Sequence, residues 1–271
     1  MKNQKAKIHP KKRFGQNFLK DKNIAQKIIK AIDAPHPRLI IEIGPGSGIL
    51  TEFVLHNTED YLGVEIDRSL IEVLQNRFSG LSNFSLVLQD FLEFDLTKTL
   101  KKFPDRSRTI LGNIPYNITS PILFKLFDHS DLLDQAVLMV QKEVGNRIRA
   151  KEGGKDYGLL SIFSQLFAEV SYLFNVPAKL FFPKPKVDSA IIKFRFRKKV
   201  KDGFADFELF RKTVRTCFQH RRKMLRNSLS QLFSGDVLSK LDFSLSQRPE
   251  QLSIDQWIKL FQQIHQIIAV R

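Results

Sequence analysis

The sequence predicts an α/β fold, a parallel sheet of βαβ units, followed by a small all-helical domain. Three observations predict it. Between residues 39 and 140, short apolar runs alternate with stretches of helical period, as consecutive βαβ units do. A glycine-rich turn, Gly44-Pro45-Gly46-Ser47-Gly48, breaks the pattern directly after the first run. From about residue 203 the strand pattern stops and only helix-period segments remain.

Residues 39–43 form a buried-strand run, and 49–56 form the helix after the turn. A second strand spans 61–65, followed by a helix at 69–78 with Leu70, Ile71 and Leu74 on its apolar face. The third strand is 84–88. The short fourth, 109–111, leads through a loop to a helix at 121–127. The fifth, 136–140, precedes a helix at 142–150. A loop at 151–158 and a helix at 159–167 follow, then strands at 170–176 and 190–196 around a proline-punctuated loop, 177–185. Further helices are expected at 204–217, 222–233 and 254–268. The expected domains are residues 1–200, with a basic N-terminal arm, and residues 203–271.

With 42% hydrophobic residues in 271, the chain has enough apolar material for a real core. No run reaches the ~18–20 apolar residues of a membrane helix. The lysine-rich start lacks the apolar stretch of a secretory signal. A single cysteine, Cys217, excludes an internal disulfide and a thiolate zinc cluster. The histidines are scattered without ligand spacing, so no metal is expected, and the cytoplasm is the expected location.

Charge is concentrated. Residues 1–30 and 193–226 together carry a net +19, whereas the other 207 residues carry −3. A folded chain with its charge confined to two segments fits a polyanion, and nucleic acid is the expected partner. Lys11, Lys12 and Arg13 in the first segment, and Arg221, Arg222, Lys223 and Arg226 in the second, are the expected phosphate contacts.

The ends of the predicted strands carry the chemistry. Glycines in the 44–48 turn let the backbone approach a ligand closely, but the spacing fits neither a dinucleotide fingerprint nor a P-loop. Strand two ends at Glu65, placed to accept from two ribose hydroxyls. Strand three is followed by Asp90, placed to accept from an adenine amine. These positions suit an adenosine-bearing cofactor.

Strand four runs into Asn113-Ile114-Pro115-Tyr116. An exocyclic adenine amine is a poor nucleophile because its lone pair is delocalised into the ring. The Asn113 side-chain oxygen and the Pro115 carbonyl, or its neighbour's, can hold both N–H groups and aim the lone pair. Tyr116 can stack on the purine. Attack on a positively charged sulfonium methyl then needs no general base, only proximity and preorganised dipoles. S-adenosyl-L-methionine is the cofactor this chemistry requires.

The motifs 14–19, 42–48, 64–67, 113–117 and 181–190, in this order, resemble those of the ribosomal RNA adenine dimethyltransferases, the bacterial kasugamycin-sensitivity methyltransferase family. The stretches 221–227 and 248–253 resemble it too. The resemblance implies a Rossmann-like S-adenosylmethionine-dependent methyltransferase domain with a small all-helical C-terminal domain. It implies dimethylation of N6 on two adjacent adenosines in the 3′-terminal hairpin of small-subunit rRNA, in immature 30S particles, by a monomer. It places Asn17 and Leu19 on the cofactor, Gly44 against its methionine part, Glu65 at the ribose hydroxyls and Asp90 at the adenine amine, with Gly46, Ile66 and Phe91 as further cofactor-binding residues. Asn113 would line both cofactor and target amine, and Phe181 would stack on the flipped base opposite Tyr116. The departures are Phe182, where a small residue is common, and Met224, where Thr is. Two rivals remain: a macrolide-resistance-type methylase of 23S rRNA, and an RNA-binding assembly factor without catalysis.

Overall fold

The computed structural model describes residues 10–11 and 14–269. In chain order the elements begin with β1 (Phe18–Leu19), α1 (Lys22–Lys30), β2 (Arg38–Ile43), α2 (Ile49–Val54), β3 (Asp60–Glu65), α3 (Arg68–Phe78) and β4 (Phe84–Leu88). Next come α4 (Leu96–Leu100), β5 (Ser107–Asn113), α5 (Thr119–Asp128), β6 (Gln135–Gln141), α6 (Lys142–Ile148) and α7 (Leu159–Phe167). The chain continues with β7 (Ala168–Val176), β8 (Phe181–Phe182), β9 (Ser189–Phe196), α8 (Phe207–Gln219), α9 (Leu225–Leu229), α10 (Gly235–Ser239) and α11 (Ile254–Ala269).

Two compact units form. The first holds the described residues up to Gly145 together with Ala168–Lys198. The second holds Asn146–Phe167 and the residues from Lys199 on. In the first, seven strands are ordered β4-β3-β2-β5-β6-β9-β7. The run from β4 to β6 is parallel, and β9 pairs antiparallel with both β6 and β7. All six residues of β2 are buried, as a central strand covered on both faces requires. Its Ile40 shares a core with Leu50, Val54, Tyr61, Leu74 and Val137. A separate two-stranded ribbon pairs β1 with β8, Phe18 opposite Phe182 and Leu19 opposite Phe181.

Side-chain caps set several helix starts: Asp21 accepts from the Ile24 N–H, Asp67 from Ser69, and Asp206 from Leu209. Each satisfies an otherwise orphaned donor of the first turn. The Asp206 cap moves the start of α8 to Phe207, three residues later than the sequence suggests.

The second unit differs from the expected division near residue 200, because Asn146–Phe167 belongs to it. The rings of Phe163 and Phe167 on α7 pack edge-on against Phe207, and Phe163 also against Phe210, at 5.4–6.5 Å. The helix expected over 222–233 is only the short α9. The Leu225 and Arg226 N–H groups donate to the carbonyls of Gln247 and Leu245 instead of to a preceding helical turn. Cys217 is fully buried, and burial pushes its thiol up to about 12, as a packing residue rather than a nucleophile.

Candidate active site

The parallel strands β2, β3 and β5 end side by side, and beyond their carboxyl ends lies a cavity of about 740 Å³, including its open mouth. This is the usual ligand position for such a sheet. Gly44, Gly46, Glu65, Ile66, Asn113, Pro115 and Tyr116 line it, and Asn17, Phe18 and Leu19 close it from the N-terminal side. Gly44 has φ +59°, and nothing lies within 4 Å of where a Cβ would stand, so the absent side chain leaves room. At Gly46, φ +60°, a Cβ would come within 2.9 Å of the Phe18 ring. Glycine is required there by both backbone and packing.

Glu65 is 3% exposed. Its Oε2 accepts from the Gly46 N–H at 3.0 Å and its Oε1 from the Asp67 N–H at 2.9 Å. Burial raises its pKa, while these backbone donors counter the rise. The carboxylate is therefore fixed in orientation, with lone pairs left for a diol. Glu42, 1% exposed, accepts from Thr51 Oγ1 at 2.7 Å and Tyr61 Oη at 2.8 Å, and burial pushes its carboxyl to about 7.

Asn113, the last residue of β5, donates from Nδ2 to the Asn17 carbonyl at 2.7 Å. That bond leaves Oδ1 as the acceptor of the side chain. The Pro115 carbonyl, an expected acceptor, is already taken: Ile118 N–H donates to it at 3.1 Å and Thr119 Oγ1 at 3.3 Å. The Ile114 carbonyl accepts no hydrogen bond from the described residues, so the neighbour of Pro115 is the open acceptor. Tyr116 is half-buried, with its hydroxyl 2.9 Å from Ser189 Oγ.

Other expected residues take different places. Phe181 is 2% exposed and packs in the core with Leu19, Val176 and Ile191. Side chains alternate along a strand, so β8 turns Phe181 inward and shows Phe182. Phe91 is buried against Phe94 with the Lys125 ammonium over its ring, away from the cavity lining. Asp90 is also outside that lining, and its Oδ1 accepts from the Leu92 N–H at 2.8 Å.

Lys11 is not a free cation. Its Nζ lies 2.6 Å from Asp67 Oδ1, and Gln16 Nε2 donates to Asp67 Oδ2 at 3.2 Å. Burial disfavours the Asp67 carboxylate, but hydrogen bonds from Lys11, Ser69 and Gln16 outweigh it and hold the pKa at about 2. Asp67 thus fastens the N-terminal segment beside the cavity. Sequence reading missed this role, and its position directly after the Glu65 strand was the available signal. Lys12 and Arg13 lie outside the described residues.

In the second unit, Arg221 is also engaged. It donates to the Gly154 carbonyl at 2.9 Å and to that of Lys155, bracing their loop, and lies 3.8 Å from Glu250. Arg222, Lys223 and Arg226 are exposed. Among the described residues no cluster of His, Cys, Asp or Glu could hold a metal ion, and no helix is long and apolar enough to cross a membrane.

The residues present fit S-adenosylmethionine: an open glycine cradle, an oriented strand-end carboxylate, and an amide acceptor at the next strand end. The comparisons agree. The family model for ribosomal RNA adenine dimethylase matches residues 8–266. The ribosomal RNA small subunit methyltransferase A of Mycoplasma capricolum is 40% identical, over 94% of this chain and 97% of its own. A dimethyladenosine transferase from Plasmodium falciparum superposes with a TM-score of 0.78 at 29% identity, covering 92% of this chain and 98% of its own. The 23S rRNA methyltransferase ErmE superposes less well, with a TM-score of 0.67 at 25% identity, over 92% and 99% of the two chains. With its strand-end site and this match over nearly its whole length, the chain belongs to the ribosomal RNA adenine dimethylase family.

Proposed function

We propose that this chain dimethylates N6 of two adjacent adenosines in the 3′-terminal hairpin of small-subunit (16S) rRNA, using S-adenosylmethionine. One observation carries the residue assignment. The Asn113 amide is oriented by the Asn17 carbonyl so that Oδ1 remains to accept, beside the open Ile114 carbonyl.

Bound cofactor supplies a methyl group on a positively charged sulfur. The chain supplies the rest. Asn113 Oδ1 and the Ile114 carbonyl each accept one N–H of the flipped adenine amine, which turns its lone pair out of the ring plane. Tyr116 stacks on the purine, and its hydroxyl bond to Ser189 fixes the ring. Glu65 takes the cofactor's ribose hydroxyls, and Gly44 and Gly46 admit its methionine end. Asp90, just beyond the cavity lining after the next strand, keeps Oδ2 free of the Leu92 bond and would reach the adenine amine from there. No side chain has to remove a proton before attack: the N–C bond would form as the carbon–sulfur bond breaks to leave a neutral thioether, and the methylated nitrogen would then shed one proton to solvent, with alignment in a preorganised site supplying the acceleration. In the second transfer the amine has one N–H left, so one of the two acceptors goes unused.

Exposed Arg222, Lys223 and Arg226 contact RNA phosphates in this reading, with the immature 30S particle as substrate, a monomer as the working form, and the cytoplasm as the site of action. The higher identity to a small-subunit enzyme than to the 23S enzyme favours the small subunit. The test is labelled S-adenosylmethionine with small subunits lacking the modification, against unmodified 23S rRNA. Label recovered as dimethyladenosine in 16S rRNA is the expected result. Label only in 23S rRNA, or binding without label, rejects it.

A further inference from the structure

We propose that Phe182 is a stacking platform for the nucleotide next to the adenosine being methylated. The inference rests on the function proposed above and adds a specificity residue to it.

The β1–β8 register places Phe182 directly opposite Phe18. Residues facing each other in an antiparallel pair share one face of the ribbon, with Cβ atoms roughly 4.5–5.5 Å apart. Phe18 lines the cavity together with Asn113 and Tyr116. Phe182 therefore shares the ribbon face of Phe18. Leu19 also borders the cavity, but Phe181 opposite it is buried in the core, which leaves Phe182 as the exposed ring of β8.

Phe182 is 55% exposed, and its ring packs on no other ring among the described residues. Lys20 directly follows β1, Lys179 lies in the turn that leads into β8, and Lys184 and Lys186 lie in the turn after it. All four are exposed, and none forms an ion pair among the described residues. An apolar ring face set among unpaired ammonium groups matches a nucleotide, which offers a π face and a phosphate together. A lipid or an apolar peptide would satisfy the ring but leave the lysines unmatched.

The reaction explains the demand. Moving one adenine into the pocket strips its neighbour of a stacking partner, and that neighbour is the second substrate base. A ring at the mouth restores the lost stack and holds the next adenosine near the pocket.

The test compares Phe182→Leu with Phe182→Trp and Phe182→Tyr on immature small subunits and labelled S-adenosylmethionine. Phe182→Leu is expected to raise the KM for the particle about tenfold, with kcat for the first methyl, cofactor affinity and melting temperature unchanged. Either aromatic variant should restore the KM, which a merely structural role would not require. An unchanged KM in the active Leu variant overturns the inference while leaving the proposed function standing. A KM shift on the particle, with no change in affinity for the isolated 3′-terminal hairpin RNA, assigns the ring to a ribosomal protein and also overturns it. Absence of transfer by the unaltered chain would instead remove the functional reading, and this inference with it.

Discussion

Asn113 Nδ2 donates to the Asn17 carbonyl at 2.7 Å, joining the end of β5 to a segment 96 residues earlier in the chain. The same bond orients the amide and holds residues 14–19 beside the cavity. Asn113→Asp turns the donor into a carboxylate that faces a carbonyl oxygen. Methyl transfer should fall by about a hundredfold or more, and cofactor binding should weaken as the segment loosens. Single-turnover transfer and cofactor calorimetry measure the two effects separately. A loss below tenfold in transfer would refute the role given to the amide.

The Lys11–Asp67 pair adds a second fastening, with a signature in acid. Hydrogen bonds from Lys11, Ser69 and Gln16 overcome burial and hold the Asp67 carboxyl at about 2, below its ordinary 3.8. A depressed carboxylate contributes stability that is full above the ordinary value and lost as pH falls through the folded value. Lys11→Met removes one of those donors and lets the folded value rise. The loss of stability below pH 3.8 should therefore be smaller than in the unaltered chain and should level off at higher pH. Thermal melts between pH 2 and 5 decide it; superimposable acid limbs would show that Lys11 does not stabilise this carboxylate.

The strand ends were legible because a parallel sheet writes itself plainly. β2 is buried on both faces and reads from Leu39 on as an apolar run interrupted only by Glu42. A glycine turn after β2, a carboxylate at the end of β3 and an amide at the end of β5 stand where a ligand would sit. What escaped depends on pairing between distant residues. The β1–β8 ribbon joins two-residue strands more than 160 positions apart, too short for any periodicity to reveal. Without that register, nothing in Phe181-Phe182 says which ring is buried, and the outward role fell on the wrong one. Lys11 and Arg221 read as free cations because charge in a sequence does not disclose a partner: Asp67 for one, the Gly154 and Lys155 carbonyls for the other. Pro115 was a plausible acceptor until the turn after it consumed its carbonyl.

Arg221 and its basic neighbours should separate experimentally. Arg221 ties down the 154–155 loop through two carbonyls, so Arg221→Ala should cost about 1–3 kcal/mol of stability, in the range for hydrogen bonds to a charged group. The triple change Arg222→Ala, Lys223→Ala and Arg226→Ala removes exposed charges and should leave stability unchanged. It should flatten the salt dependence of RNA binding by roughly 2–3 in the log–log slope. Denaturant titration and filter binding at several salt concentrations check both. A triple variant with an unchanged slope would remove these residues from the RNA interface.

Glu42 gives the remaining prediction. Burial pushes its carboxyl to about 7 from an ordinary 4.5, against hydrogen bonds from Thr51 and Tyr61 that favour the ionised form. Between those two values the folded chain keeps the proton and the unfolded chain has lost it. Stability from this group is therefore full below pH 4.5, falls as pH rises towards 7, and is constant above. The total fall is about 3 kcal/mol. Glu42→Gln keeps the shape and has nothing to ionise. Relative to the unaltered chain, the variant should gain about 3 kcal/mol on going from pH 4.5 to pH 8, whatever its absolute stability at either end. Urea denaturation of both proteins at the two pH values measures that difference directly. A difference that does not move with pH would mean the Glu42 carboxyl is ionised in the folded chain, with Thr51 and Tyr61 sufficient to hold the charge.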